Sequence, residues 1–390
     1  MNLQPLFDLS PLAQLMFAGV LMAIGPLMWV WWRNQGASPV KRLHALTLLT
    51  LVLTFDLVLF GAFTRLSDSG LGCPDWPGCY GSASPLGAKA QIDVAQASLP
   101  SGPVTTGKAW VEMIHRYLAT GVGVLIAVLA IAAWRYRAQA GSISPWWAVA
   151  SLVWVCVQGA FGALTVTMKL FPAIVTLHLL GALLLLALLT VQVIQQSSLG
   201  QSGISRYHSI FISATVQKLA WFTFAALTLQ IALGGWVSTN YAVLACSEFP
   251  RCQGSWWPAM NFEQGFEIWR NLGHTRSGDI ISFEALTAIH YAHRMMAVIV
   301  IALTGALAWA LNGVSGMRTT SRWIAALIGL QFATGLSNVV LGWPLFAALL
   351  HTGGAAALAI ALTWVVCAGR MGVQGGATHE QALNLSRLNA

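Results

Sequence analysis

Four histidines lie in or beside long apolar runs: His115, His178, His293 and His351. A neutral imidazole is a good transition-metal ligand, and two imidazoles facing each other in a helical membrane bundle commonly ligate a heme iron axially. Polar groups held in hydrocarbon are costly and tend to be functional. Four of them at repeated positions favour heme ligation over simple hydrogen bonds between helices. A zinc site would want carboxylate or thiolate partners at the same depth, and only Glu112 qualifies.

Glu112 precedes His115 by three residues, one helical turn on the same face. The matching residue beside His293 is His290, so one histidine pair has an acid beside it and the other does not. This asymmetry suggests chemistry at the first site and electron relay at the other, unless Glu112 only caps a helix N-terminus, where acids are favoured. Arg116 and Arg294 each follow a histidine. They are placed either to pair bidentately with heme propionates or to snorkel to lipid phosphates. Small residues nearby, Gly121, Gly123, Gly181, Gly353 and Gly354, would leave room for a flat macrocycle.

These residues need a membrane-spanning scaffold. Of 390 residues, 57% are hydrophobic and only 8% charged, against about 25% charged in a soluble domain. Nine runs are long enough to span, at about 12–32, 44–64, 113–134, 146–167, 172–194, 217–237, 287–311, 322–341 and 345–368. All four histidines then fall within about two turns of helix ends, roughly 5–10 Å deep. The net charge of +8 does not point to nucleic acid, because the basic residues sit in short loops and form no stripe. There is no Lys or Arg before Arg33, and Asp8 is acidic, so the first run reads as a retained helix rather than a secretory or transit signal.

The basic residues set the orientation. One set of loops and the tail holds Arg33, Lys41, Arg42, Arg135, Arg137, Arg206, Lys218, Arg318, Arg322, Arg370 and Arg387, with Glu380 as its only acid. This side reads as cytoplasmic, which puts the N-terminus and the two long loops outside and the C-terminus inside a bacterial plasma membrane. The cysteines agree. Cys73 and Cys79 lie in one long loop and Cys246 and Cys252 in the other, on the side where disulfides persist. Four cysteines allow three pairings, and the local ones, Cys73–Cys79 and Cys246–Cys252, are favoured. The first pair is either a structural staple or redox-active.

The chain contains one unit twice. Gly61 precedes Cys73 by 12 positions, as Gly234 precedes Cys246, and each second cysteine follows by 6. Gln158 and Gly162 recur as Gln331 and Gly335, with His178 and His351 each 20 positions after the glutamine. Each copy has four spans, so the copies share a topology, as parallel repeats about an axis along the membrane normal. The histidines lie on the second and fourth helices of each copy, which are diagonal neighbours in an up-down bundle. The fold expected is an all-α polytopic membrane protein with two pseudo-symmetric four-helix transmembrane bundles and one extra N-terminal transmembrane helix. Its divisions are 1–43 (appended helix and loop), 44–200 (first bundle), 201–370 (second bundle) and 371–390 (cytoplasmic tail).

The run Thr64-Arg65-Leu66-Ser67-Asp68-Ser69-Gly70-Leu71-Gly72-Cys73-Pro74-Asp75-Trp76-Pro77, followed by Glu112-Met113-Ile114-His115-Arg116, resembles the heme A synthases of cytochrome oxidase assembly. The resemblance covers about residues 44–368; the span at 12–32 departs from the common eight-span form. It implies an oxidoreductase that converts the C8 methyl of heme O to a formyl group, giving heme A. It implies a resident heme b on His293 and His351, heme O bound near His115 and His178, an essential Glu112, and an outer-loop cysteine pair at Cys73 and Cys79. It also implies a functional link to heme O synthase. The sequence sets no oligomeric state and allows a homo-oligomer. Without the resemblance, the four histidines fit a quinol-linked diheme electron-transfer protein equally well. A non-enzymatic heme carrier is a third reading, to which the outer residues Trp76, Trp256 and Trp257 would lend themselves.

Overall fold

The computed structural model describes residues 10–138, 144–199, 210 and 212–388, with side chains to 197 in the first half and to 368 in the second. Asp8, Arg206 and the side chains of Arg370, Glu380 and Arg387, used above for orientation, lie outside the described residues. Within them the chain is helical, with α1 (Ser10–Arg33), α2 (Pro39–Leu66), α3 (Lys89–Ser98), α4 (Thr106–Arg135), α5 (Trp146–Thr167), α6 (Pro172–Leu199), α7 (Ala214–Thr239), α8 (Phe262–Gly265), α9 (Phe283–Asn312), α10 (Arg318–Val340) and α11 (Leu345–Leu388). Nine of these are long and apolar enough to cross a membrane, in agreement with the nine runs read from the sequence.

Helix ends differ from the apolar runs where capping, not hydropathy, sets the boundary. Thr105 accepts a hydrogen bond from the Lys108 N–H at 3.3 Å, and Ser282 one from the Ala285 N–H at 3.2 Å. These caps satisfy orphan amides of the first turn. They start α4 and α9 several residues before the apolar stretch begins. The region read as a tail, 371–390, instead continues α11 as far as Leu388.

Helices α2, α4, α5 and α6 pack in a closed ring in which each touches the next, and α7, α9, α10 and α11 form a second ring of the same order. The rings meet through α2 and α6 on one side and α7 and α11 on the other. Helix α1 lies outside the first ring, along α4. Its Gly19 permits the close approach: a Cβ there would stand 2.8 Å from Thr120 Cβ. The main apolar core runs through both rings, from Leu125, Ile126 and Leu129 of α4 to Leu307 and Leu311 of α9.

The repeat extends to the loops. Both local disulfides, Cys73–Cys79 and Cys246–Cys252, are formed, each with Cα atoms 4.9 Å apart. After each second cysteine, two residues of positive φ, Tyr80-Gly81 and Gln253-Gly254, make a tight turn. An acid in the matching position caps it: Asp75 accepts from the Tyr80 and Gly81 N–H groups at 2.6 and 2.7 Å, and Glu248 accepts from the Gly254 N–H.

Candidate functional site

Helices α4 and α6 face each other across the first ring, and α9 and α11 across the second. They carry His115 with His178 and His293 with His351, as the repeat requires. Within each pair the imidazoles lie in electrostatic reach of one another. Each imidazole is half-buried.

Glycines on the adjoining helices receive these imidazoles. A Cβ at Gly61 on α2 would stand 3.0 Å from His115 Cε1, and one at Gly234 on α7 would stand 2.9 Å from His293 Cε1. For Gly162 on α5 and His178 the value is 3.6 Å, and for Gly335 on α10 and His351 it is 3.1 Å. The glycines that mark the repeat in the sequence are thus the seats of the four imidazoles. Four of the five glycines expected to make room for a macrocycle lie against other side chains. Gly121 faces Met22 and Gly19 of α1, Gly181 and Gly354 receive the side chains of Gln158 and Gln331, and Gly353 abuts Leu59. Nothing stands against Gly123. Helix faces decide this, and a glycine count cannot show it.

The donor set suits a porphyrin iron. Nδ1 of His115, His178 and His293 is buried without a hydrogen-bond partner. Among the described residues no three His, Cys, Asp or Glu side chains converge to hold a metal ion. A heme iron taken by these histidines would find two imidazoles in each ring and no third His, Cys, Asp or Glu converging with them among the described residues. Zinc has no such site among the described residues.

Glu112 does not stand free beside His115. One carboxylate oxygen accepts from the Cys73 N–H at 2.8 Å and the other is paired with the Arg116 guanidinium. The residue is 4% exposed. Arg116 also donates to the Pro77 and Gly78 carbonyls at 3.1 and 2.5 Å. In the second half Arg294 donates to the carbonyls of Cys246, Glu248 and Arg251 at 2.7, 2.9 and 3.1 Å, and to His290 Nε2 at 3.2 Å. Both arginines therefore tie a disulfide loop onto the histidine helix. Sequence reasoning offered propionates or lipid phosphates for them. It could not see carbonyl partners more than 35 positions away.

Polar neighbours of the second pair were also missed. Gln230 Nε2 lies 3.4 Å from His293 Nε2, and Thr334 Oγ1 lies 3.0 Å from His351 Nδ1. Their signal was present only as a mismatch between copies, since Leu57 and Phe161 occupy those registers in the first half. Asp56 sits on the exposed face of α2.

Two four-helix rings, each with an imidazole pair on its diagonal helices, define a polytopic helical membrane protein. Residues 44–363 match the family described as cytochrome oxidase assembly protein. A relative from Shewanella oneidensis named heme A synthase is 37% identical over 81% of this chain and 93% of its own length. Heme A synthases of Rhizorhabdus wittichii (28% identical, 84% and 95% covered) and Halalkalibacterium halodurans (25% identical, 76% and 86% covered) are also similar. The chain belongs to the cytochrome oxidase assembly family that includes the heme A synthases, as the resemblance of its loop and Glu-x-x-His-Arg motif implied.

Proposed function

We propose that this protein is a heme A synthase, which oxidises the C8 methyl of heme O to a formyl group by two successive hydroxylations and loss of water from the resulting diol. The observation that carries this reading is the pair of diagonal imidazole sites, alike in their glycine seats and unlike in the acid beside one of them, in a chain whose relatives bear that enzyme's name. His293 and His351 would hold a resident heme b, and His115 and His178 would bind heme O. Methyl to formyl removes four electrons from the carbon; a heme would relay them from the unreactive methyl to an oxidant from outside the chain.

The protein's own groups do the positioning. Glu112 and Arg116 fix the Cys73–Cys79 loop against α4 beside His115. The Glu112 carboxylate lies one helical turn before His115 and would stabilise positive charge developing at the methyl or move its proton. Both long loops lie outside in this reading, with the C-terminus in the cytoplasm of a bacterial cell. A heme O synthase supplies the substrate, and membrane lipid surrounds the nine spans.

Co-expression with a heme O synthase, followed by chromatography of extracted hemes, tests the reading. Heme A or its hydroxylated intermediate is expected. Glu112→Gln keeps an acceptor for the Cys73 N–H but loses the charge; it should leave heme b bound and stall conversion. Normal heme A from that variant would discard the role of Glu112. An imidazole pair in each half also suits a diheme electron-transfer protein, for which no new heme would appear in the extracts.

A further inference from the structure

The two halves hold their last histidine differently. Thr334 Oγ1 lies 3.0 Å from His351 Nδ1 and 2.7 Å from the Leu330 carbonyl, one turn back on α10. A hydroxyl has one hydrogen and two lone pairs. With its hydrogen on the Leu330 carbonyl, Thr334 can only accept from His351. Nδ1 then carries the proton and Nε2 keeps its lone pair, the tautomer that a metal taken through Nε2 requires. A partner on the far nitrogen also fixes the ring's orientation and raises its basicity as a ligand. The backbone is held too, since Gln331 Nε2 donates to the His351 carbonyl at 2.9 Å.

None of this recurs in the first half. The matching Gln158–Gly162 segment puts Phe161 at the Thr334 register, and Phe161 packs into the apolar cluster around Phe171 and Ile174. His178 Nδ1 is buried without a partner, as are both amide atoms of Gln158. His293 has no comparable support, because its Nδ1 is unpartnered and Gln230 meets the other nitrogen. The difference in side-chain support therefore lies on α10 and its counterpart α5.

We propose that Thr334 is the positioning residue that makes the second half retain its heme, and that Phe161 at the same register leaves the first half able to take up and release its own. This rests on the heme reading above.

The test is made on full-length protein carrying His115→Ala, which confines heme to the second half, by following heme transfer to apomyoglobin and the midpoint potential. Thr334→Val should speed transfer roughly 10–100-fold, the usual loss when a partner behind a metal ligand is removed. It should also raise the potential, because a less basic imidazole stabilises ferric iron less. Thr334→Ser should restore both. Unchanged transfer and potential in Thr334→Val would overturn the proposal. Should that variant fail to accumulate, Phe161→Thr in a His351→Ala background measures the reverse. Slower release from the first half is expected, and an unchanged rate overturns the proposal. A wild-type heme spectrum that His351→Ala leaves intact would sink the heme reading itself, and this proposal with it.

Discussion

At the scale of single residues, each imidazole lies against a glycine of the next helix, and the spacing differs between seats. At Gly61, Gly234 and Gly335 an added Cβ would come within 2.9–3.1 Å of the ring, tighter than ordinary contact, whereas at Gly162 it would sit at 3.6 Å. Overpacking a fitted site costs about 1–3 kcal/mol. Alanine at the first three positions should therefore lower the heme-to-protein ratio of purified protein, by roughly tenfold in affinity for each 1.4 kcal/mol. Gly162→Ala should bind as the parent does. Equal heme loss in all four variants would show that the glycines serve helix packing and not the imidazoles. Glu112 belongs to the same scale. Its bond from the Cys73 N–H joins α4 to the loop, and its pairing with Arg116 one turn along α4 holds the carboxylate in place, so a substitution there acts on the loop as well as on charge.

At the scale of elements, the appended helix α1 has a function in the packing that its sequence does not advertise. Leu15 is buried in one cluster with Cys73, Cys79, Ile92 and Met113, which places α1 against the first disulfide loop. The second loop has no such cover from α1. Burial of a leucine contributes about 1.5–3 kcal/mol, so Leu15→Glu should favour local opening of the first loop. Reduction of Cys73–Cys79 by a soluble phosphine, read by maleimide mass-tagging, should quicken roughly tenfold, by the rule of 1.4 kcal/mol per decade. Cys246–Cys252 should reduce at its original rate. Equal acceleration of both would mean that Leu15→Glu loosens the whole molecule.

For the whole molecule, the two halves meet at the long-loop end through residues that the repeat equates. Asp68 and Tyr241 each lie five positions before their first cysteine, both with positive φ, and the Tyr241 hydroxyl donates to Asp68 at 2.9 Å. Arg65 donates to the carbonyl of its own counterpart, Ser238, at 2.6 Å and lies over the Tyr241 ring. Equivalent residues can touch only near the axis relating the copies, so this cluster marks the pseudo-twofold. Burial alone would raise the Asp68 carboxyl. Hydrogen bonds from Lys108 and Tyr241, with the charges of Lys108 and Arg65, outweigh it and hold the group below its ordinary 3.8. A depressed folded value contributes stability above the unfolded value and loses it as pH falls through the folded one. Asp68→Asn should therefore melt below the parent near neutral pH, and the gap should close as the pH drops below about 4. A gap in Tm that stays constant down to about pH 3, below the unfolded carboxyl value, would assign the effect to the hydrogen bond alone.

The nine spans, the duplication, both disulfides and the diagonal placement of the histidines were legible in the chain, because each depends on hydropathy or spacing along it. So was the family, through the loop run and Glu-x-x-His-Arg. Tertiary structure decided the rest: which glycines receive the imidazoles, that Glu112 and Arg116 are committed to the loop, that α1 covers one disulfide, and that Thr334 backs His351. These are contacts between distant segments. Their partners depend on which face each helix turns inward, a rotation that the packing of all the helices fixes together.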